Sequence, residues 1–455
     1  MDAPSGALGA AASVALGAGR LRQNVIYRAG ALGCRPRVPT DIVELERRAR
    51  AAMSDRAWAY VGGGAGDGDA MRRNREAFRQ WAIVPRMLRD VSRRDLTVEL
   101  FGRRLPAPIL VAPVGAAGMV RRDADVLIGR AAAQLGVPYI LSNQGSSAME
   151  ATAAAMGDAP RWFQLYWSTD ERLVDSLIGR AEAMGADALV VTLDTTMLGW
   201  RPQDLDLGSL PFAQGVGIAQ YTSDPRFMEL VRQRVDGAAG GDGRPRAGAS
   251  GRGRGRGRGR GDVRLTLGAV RTLASMAREV PGRFVDNLRS PMTRAVVETF
   301  LEIYSKPSLT WADIETLRER TRLPVVLKGI LHPDDALQAV ESGAAGVIVS
   351  NHGGRQVANA VASLDALPDV ARAVGGRVPV LLDSGVRTGA DVVTALALGA
   401  SAVILGRPHI YGLAIDGEAG VRAVLGNVIA ELDLTMGLSG FASVPELGPE
   451  VLRRV

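Results

Sequence analysis

Residues 379–408 read PVLLDSGVRTGADVVTALALGASAVILGRP, two apolar runs on either side of a helix-patterned stretch. Pro379–Ser384 (PVLLDS) and Ala402–Arg407 (AVILGR) are short and continuously apolar up to a charged residue, the pattern of strands covered on both faces. Ala390–Leu398 between them is amphipathic and helical in spacing. Upstream the same kind of run recurs as Pro108–Val114, Tyr139–Asn143, Trp162–Tyr166, Ala188–Asp194, Pro324–Gly329 and Gly346–Asn351, with helical stretches such as Asp334–Ser342 interposed. Eight such runs predict an α/β fold, a (β/α)8 TIM barrel. The working residues of that fold stand at the C-terminal strand ends. Polar residues gather there: Ser142, Gln164 with Tyr166, Thr192 with Asp194, Lys328, Ser350 with His352, Asp383 and Arg407. Packing alone gives no reason for a polar group at nearly every strand end.

The chain has 455 residues, 47% hydrophobic and 23% charged, enough apolar matter for a large core. No apolar run reaches the roughly 18–20 residues of a membrane span. Residues 1–23 lack the basic start of a secretory signal. Residues 1–35 are expected to form a flexible N-terminal segment, a helical extension to a barrel occupying 36–455. Within the barrel, 236–262 (DGAAGGDGRPRAGASGRGRGRGRGRGD) is a low-complexity Gly/Arg insert expected to be disordered, since it has almost no apolar surface to offset chain entropy. The net charge of +7 falls to +2 when its five alternating arginines, Arg252 to Arg260, are set aside. Basicity therefore belongs to the insert. Without interleaved aromatics the tract does not make nucleic-acid binding the main function. The lone cysteine, Cys34, excludes an internal disulfide framework and fits a reducing cytoplasm.

Three histidines and two lysines narrow the chemistry. His352 lies in SNHGGRQ, past the sixth run, where glycines allow close backbone approach and Arg355 is adjacent. An imidazole there suits a general base. His332 and His409 flank prolines and read as loop and helix-start residues. Lys328 ends an apolar run, where an ammonium must meet an anion or a carbonyl. Asp194 is placed to pair with His352. The DSGVRTG and LGRP loops follow the last two strands, a common phosphate site in barrels, with Arg387, Arg407 and the Gly385 and Gly406 amides as donors. No zinc set is visible, and GGGAGDGD at 62–69 follows no strand, which argues against a Rossmann fingerprint.

Taken together, SNHGGRQ, LKGI, WFQLY and DSGVRTGADVVTALALGASAVILGRP resemble the FMN-dependent 2-hydroxy-acid oxidases and dehydrogenases, from about Pro36 to the C-terminus. LDTTMLGWRPQDL, PFAQGVGIAQYTSDP and PRMLRDVSRRDLTVELFG look closest to the lactate 2-monooxygenase branch. The resemblance implies FMN as cofactor, a small L-2-hydroxy acid such as L-lactate as substrate and a tetrameric or octameric homo-oligomer; the acceptor is oxygen, with or without oxidative decarboxylation of the keto acid, or in a dehydrogenase of the same family a non-oxygen acceptor. It also assigns roles. His352 is the base, with Asp194 its partner; Tyr60, Arg201 and Arg355 bind the substrate carboxylate, and Tyr166 hydrogen-bonds the substrate. Lys328 lies by the flavin ring. Ala112, Pro113, Val114, Gly115, Ser142, Gln164, Thr192 and Ser350 contact the ring and ribityl parts. Asp383, Gly385, Arg387, Gly406 and Arg407 hold the ribityl chain and phosphate. Gln144 and the VRRDAD segment at 120–125 depart from the pattern of many members, and neither removes a catalytic residue.

Overall fold

The computed structural model describes residues 7–239 and 267–455. Eight parallel strands close into a barrel: β1 (Ile109–Val111), β2 (Tyr139–Leu141), β3 (Arg161–Leu165), β4 (Leu189–Thr192), β5 (Val325–Ile330), β6 (Gly346–Val349), β7 (Val380–Asp383) and β8 (Ala402–Leu405). They follow chain order around the ring, and Leu405 opposite Val111 seals β8 to β1. Each apolar run read from the sequence is one of these strands, because a barrel strand is buried both inward and outward. Leu110, Ile140, Trp162, Val190, Val326, Ile348, Leu381 and Ile404 form the inner cluster. Their chain neighbours, among them Val111, Leu141, Phe163, Val191 and Leu382, join the cluster beneath the helices.

An antiparallel hairpin, Val98–Leu100 with Arg103–Leu105, adds Leu100 and Leu105 to the inner cluster. Its Phe101 ring lies 5.3 Å from that of Trp162. A Cβ on Gly346, the first residue of β6, would come within 3.1 Å of the same ring. The hairpin therefore sits across the N-terminal strand ends, and the C-terminal ends are left for a site.

The helical extension expected at the N-terminus spans Ala7–Ala31, broken at Gly17, and lies against the long helix Arg407–Leu438. Gly19 makes the close approach possible. The Gly19 N–H donates to Asp433 Oδ2 at 2.8 Å, and a Cβ there would stand 2.7 Å from the Ala430 carbonyl oxygen. Residues 236–239, assigned to the low-complexity insert, complete the helix Pro225–Ala239. Ala238 and Ala239 are good helix formers, and the helix is anchored by buried Phe227 and Val231. The rest of the insert, 240–262, lies outside the described residues. Among the described residues no helix is long and apolar enough to cross a membrane.

Candidate active site

The loop after β6 carries His352 with φ of 57°, a left-handed backbone that costs a non-glycine residue roughly 1–2 kcal/mol. Local bonds hold it there. The His352 N–H donates to Ser350 Oγ at 3.0 Å, and the next amide, of Gly353, donates to Ser384 Oγ at 2.9 Å. The turn aims the ring at the segment after β4, where Nδ1 lies 2.7 Å from Asp194 Oδ1. With Nδ1–H engaged by the carboxylate, Nε2 is the ring nitrogen left for the cavity that His352 lines. Thr195 Oγ1 donates to the same Asp194 oxygen at 3.0 Å and lies 3.2 Å from His352 Nδ1.

Lys328, ending the apolar part of β5, points its ammonium into a second polar cluster. Nζ is 2.9 Å from Ser350 Oγ, 3.1 Å from Asp383 Oδ2 and 3.8 Å from Asp194 Oδ2. The Ser350 hydroxyl donates in turn to Asp383 Oδ2 at 2.6 Å, so one hydroxyl ties β5, β6 and β7 together. Burial works against the Lys328 charge, but the Asp383 and Asp194 carboxylates outweigh it and raise its pKa. Burial likewise works against the Asp194 charge, and here the His352 and Lys328 charges with the His352 and Thr195 hydrogen bonds bring its pKa down to about 2. For His352 burial wins: its pKa is lowered although Asp194 pulls the other way. The ring is therefore neutral at pH 7.

Facing His352 is a pair of arginines. Arg355, from the β6 loop, is bonded to the Tyr60 carbonyl and to the Gly63 carbonyl at 3.1 Å, and its guanidinium lies 4.9 Å from the centre of the Tyr60 ring. Arg201, from the β4–β5 connection, donates from Nε to the Arg355 carbonyl at 3.0 Å and from Nη2 to Gln356 Oε1 at 2.7 Å. These partners are all neutral. Among the described residues neither guanidinium has a carboxylate within ion-pair distance. Burial first and the Arg201 charge second bring the Arg355 pKa down to about 9. A buried Arg201 and a half-buried Arg355, mutually repelling and hydrogen-bonded only to neutral partners, call for an anionic ligand.

Tyr60, Tyr166, Arg201, His352 and Arg355 line one cavity with Ala112, Pro113, Val114, Gly115, Thr192, Lys328, Asp383, Gly406 and Arg407. Two strand-end side chains carry buried polar atoms without a partner, and of these Thr192 lines the cavity while Gln164 does not. Gln164 Oε1 is taken by the Asn143 N–H at 3.1 Å and Ser142 Oγ at 3.4 Å, but its Nε2 is buried with no partner. Thr192 Oγ1 is buried and unpartnered too. Such orphans beside a fixed ammonium fit a flat cofactor edge rich in carbonyl and ring-nitrogen acceptors.

The two arginines expected at a phosphate are placed differently from each other. Arg407 donates to the Val61, Gly353 and Gly63 carbonyls at 3.0, 3.0 and 2.9 Å, knitting the helix Asp55–Gly62 to the β6 loop. Arg387 lines a second cavity, with Arg22, Thr388 and Glu431. Burial lowers both pKa values, that of Arg387 to about 10 with the Arg407 charge adding to it, while Tyr411 acts the other way on both. Gly385 has a packing reason to be glycine: a Cβ would stand 2.4 Å from the Asn74 carbonyl oxygen. Sequence reasoning missed Thr195, Gln356, Leu198, Phe212 and Tyr304. Gln356 lay inside a recognised motif, whereas Phe212 and Tyr304 come from the long β4–β5 connection, which carries no strand-end signal.

A barrel that offers a fixed ammonium and orphan donors to a flat cofactor, with a neutral histidine and two free cations above, belongs among the flavin-dependent barrel enzymes. The chain is a member of the FMN-dependent dehydrogenase family, whose sequence model matches residues 49–454, and its cofactor is FMN. It is 42% identical over 434 residues to an FMN-dependent alpha-hydroxy acid dehydrogenase of Penicillium citrinum, covering 95% of each chain. It is 38% identical over 409 residues to an L-lactate oxidase of Lysinibacillus sphaericus, covering 90% of this chain and 91% of the relative. Among solved structures, mandelate oxidase with (S)-4-hydroxymandelic acid superposes with a TM-score of 0.71 at 33% identity, covering 91% of this chain and 98% of that one.

Proposed function

We propose that this chain oxidises a small L-2-hydroxy acid, L-lactate in the first instance, to the 2-keto acid, with molecular oxygen as final acceptor. One observation carries the reading: the Arg201–Arg355 pair, hydrogen-bonded to neutral partners, stands in the same cavity as the neutral His352, whose Nδ1 is fixed on Asp194. The relatives named for lactate and 2-hydroxy-acid oxidation support the substrate class.

In this mechanism the substrate carboxylate lies between Arg201 and Arg355, with the Tyr60 ring beneath the Arg355 guanidinium. That anchoring turns C2 and its hydroxyl toward His352 Nε2. FMN, when bound, supplies the two-electron acceptor for C2 and the route of those electrons to oxygen. His352 takes up a proton that the substrate releases as C2 becomes a carbonyl, and Asp194 stabilises the imidazolium so formed. Tyr166, whose pKa burial raises, stays protonated and donates a hydrogen bond to the substrate oxygen. The Lys328 ammonium, held charged by Asp383 and Asp194, offers positive charge to the cofactor edge at the barrel mouth. Release of the keto acid leaves hydrogen peroxide as the second product. A keto acid retained beside that peroxide is decarboxylated, as in a lactate 2-monooxygenase.

Anaerobic mixing of the purified flavoprotein with L-lactate, glycolate and L-mandelate should bleach the flavin band with at least one acid, and with L-lactate fastest. Product analysis in air then separates pyruvate with peroxide from acetate with carbon dioxide. A flavin that none of the three reduces would overturn the reading.

A further inference from the structure

We propose that Thr195 is a positioning residue that sets the base strength of His352 by sharing its carboxylate. This rests on His352 acting as the base.

The geometry is a closed triangle of three polar atoms. Asp194 Oδ1 receives His352 Nδ1 at 2.7 Å and Thr195 Oγ1 at 3.0 Å, and the last two are 3.2 Å apart. The other carboxylate oxygen, Oδ2, is buried without a hydrogen-bond partner, 3.8 Å from the Lys328 ammonium. All the hydrogen bonds that Asp194 accepts therefore fall on one atom, and Thr195 supplies one of the two. Thr195 is 6% exposed, its β-branched side chain is stiff at χ1, and its hydroxyl also interacts with Tyr166. It also lines the cavity beside Tyr166.

A hydroxyl donating to a carboxylate stabilises the anion and makes it a weaker hydrogen-bond acceptor for anything else. The imidazolium form of His352 leans on Asp194, so the Thr195 bond withdraws part of that support and favours the neutral ring, which is the form that accepts a proton. Other charges around His352 act in parallel. Lys328 from β5 and Arg201 from the β4–β5 connection disfavour the imidazolium, and Asp383 sits behind Lys328. Arg355 of its own loop, Tyr60 and Tyr166 complete the surroundings. Thr195 differs from all of these: it acts through Asp194 and carries no charge of its own.

The test compares Thr195→Val, which keeps the shape and removes the hydroxyl, with Thr195→Ser, which keeps the hydroxyl. With only three histidines in the chain, the FMN-loaded protein labelled with ¹⁵N-histidine gives three imidazole titrations, and His352→Gln identifies the one that matters. The pKa of His352 should rise in Thr195→Val by about half a pH unit or more, the scale of one hydrogen bond, and stay at the wild-type value in Thr195→Ser. The acid limb of anaerobic flavin reduction should move upward with it. An unchanged or lowered pKa in Thr195→Val, or a Thr195→Ser that behaves like Thr195→Val, overturns the proposal. If Thr195→Val does not yield folded yellow protein, Thr195→Ala must show the same upward shift, and its absence is equally fatal. The titration needs no substrate, so a wild type inert toward every 2-hydroxy acid would count against the proposed reaction and leave the Thr195 result standing.

Discussion

His352 combines a strained backbone with a ring that burial keeps neutral, and both conditions bear on its chemistry. Its pKa lies below 6.5, so the base form is the populated one above that value. Reduction of the flavin by substrate should therefore be flat from about pH 7 downward until it falls through the His352 pKa, below 6.5. A limb centred above 6.5 would contradict the assignment. Replacing the base with an amide of similar size should leave the cofactor bound while chemistry fails. In His352→Gln, the anaerobic reduction rate should drop by roughly two to four orders of magnitude with flavin content unchanged. A near-normal rate would remove His352 from the role of base.

At the scale of elements, the site depends on two loops pressed together. Gly199 of the β4–β5 connection lies so close to the β6 loop that a Cβ would stand 2.6 Å from the carbonyl oxygens of Arg355 and Gln356. The Gln356 amide staples the pair: Nε2 donates to the Asp194 and Met197 carbonyls at 2.9 and 3.0 Å, and Oε1 accepts from Arg201. Gln356→Met keeps the length and loses every one of these bonds. The substrate concentration for half-maximal reduction should rise roughly tenfold or more, the scale of one hydrogen bond to a charged group, with a smaller change in the limiting rate. A fall in the limiting rate alone would mean that Gln356 does not act through Arg201. The motif around His352 announced this loop in the sequence, but its partner across the gap was invisible, since no pattern within SNHGGRQ says which carbonyls Gln356 will reach. Phe212 and Tyr304 were illegible for a related reason. They belong to a long connection whose residues are ordered by an aromatic cluster, with Phe212, Phe300 and Tyr304 packed ring to ring, and such a cluster has no period to read.

Across the whole molecule, the barrel was the most legible feature, because strands buried on both faces write themselves as unbroken apolar runs ending in polar residues. The periphery was less so. The Ala/Gly-rich start of the chain resembles a loose tail in composition, yet it docks by backbone contacts that side-chain patterning does not encode. That docking centres on Asp433, 2% exposed, which receives the Gly19 N–H and a two-pronged bond from Arg94 at 2.7 and 2.9 Å. Asp433→Ala takes this carboxylate away from the half-buried Arg94 guanidinium and the Gly19 amide, so the thermal midpoint should fall by several degrees. Flavin reduction at 25 °C should survive, since Asp433 is remote from the cavity lining. A midpoint within a degree of wild type would show that the N-terminal helix contributes little.

The hairpin carrying Phe101 has a consequence for traffic. With the barrel interior packed solid and its lower rim stoppered, the space above His352 is a cul-de-sac entered from the C-terminal rim. Acid, keto acid and electron acceptor then share one approach, and the departing product stands in the path of whatever comes next. Under the proposed reaction with oxygen, the time the keto acid spends at that doorway would decide whether it leaves intact or meets the peroxide formed behind it.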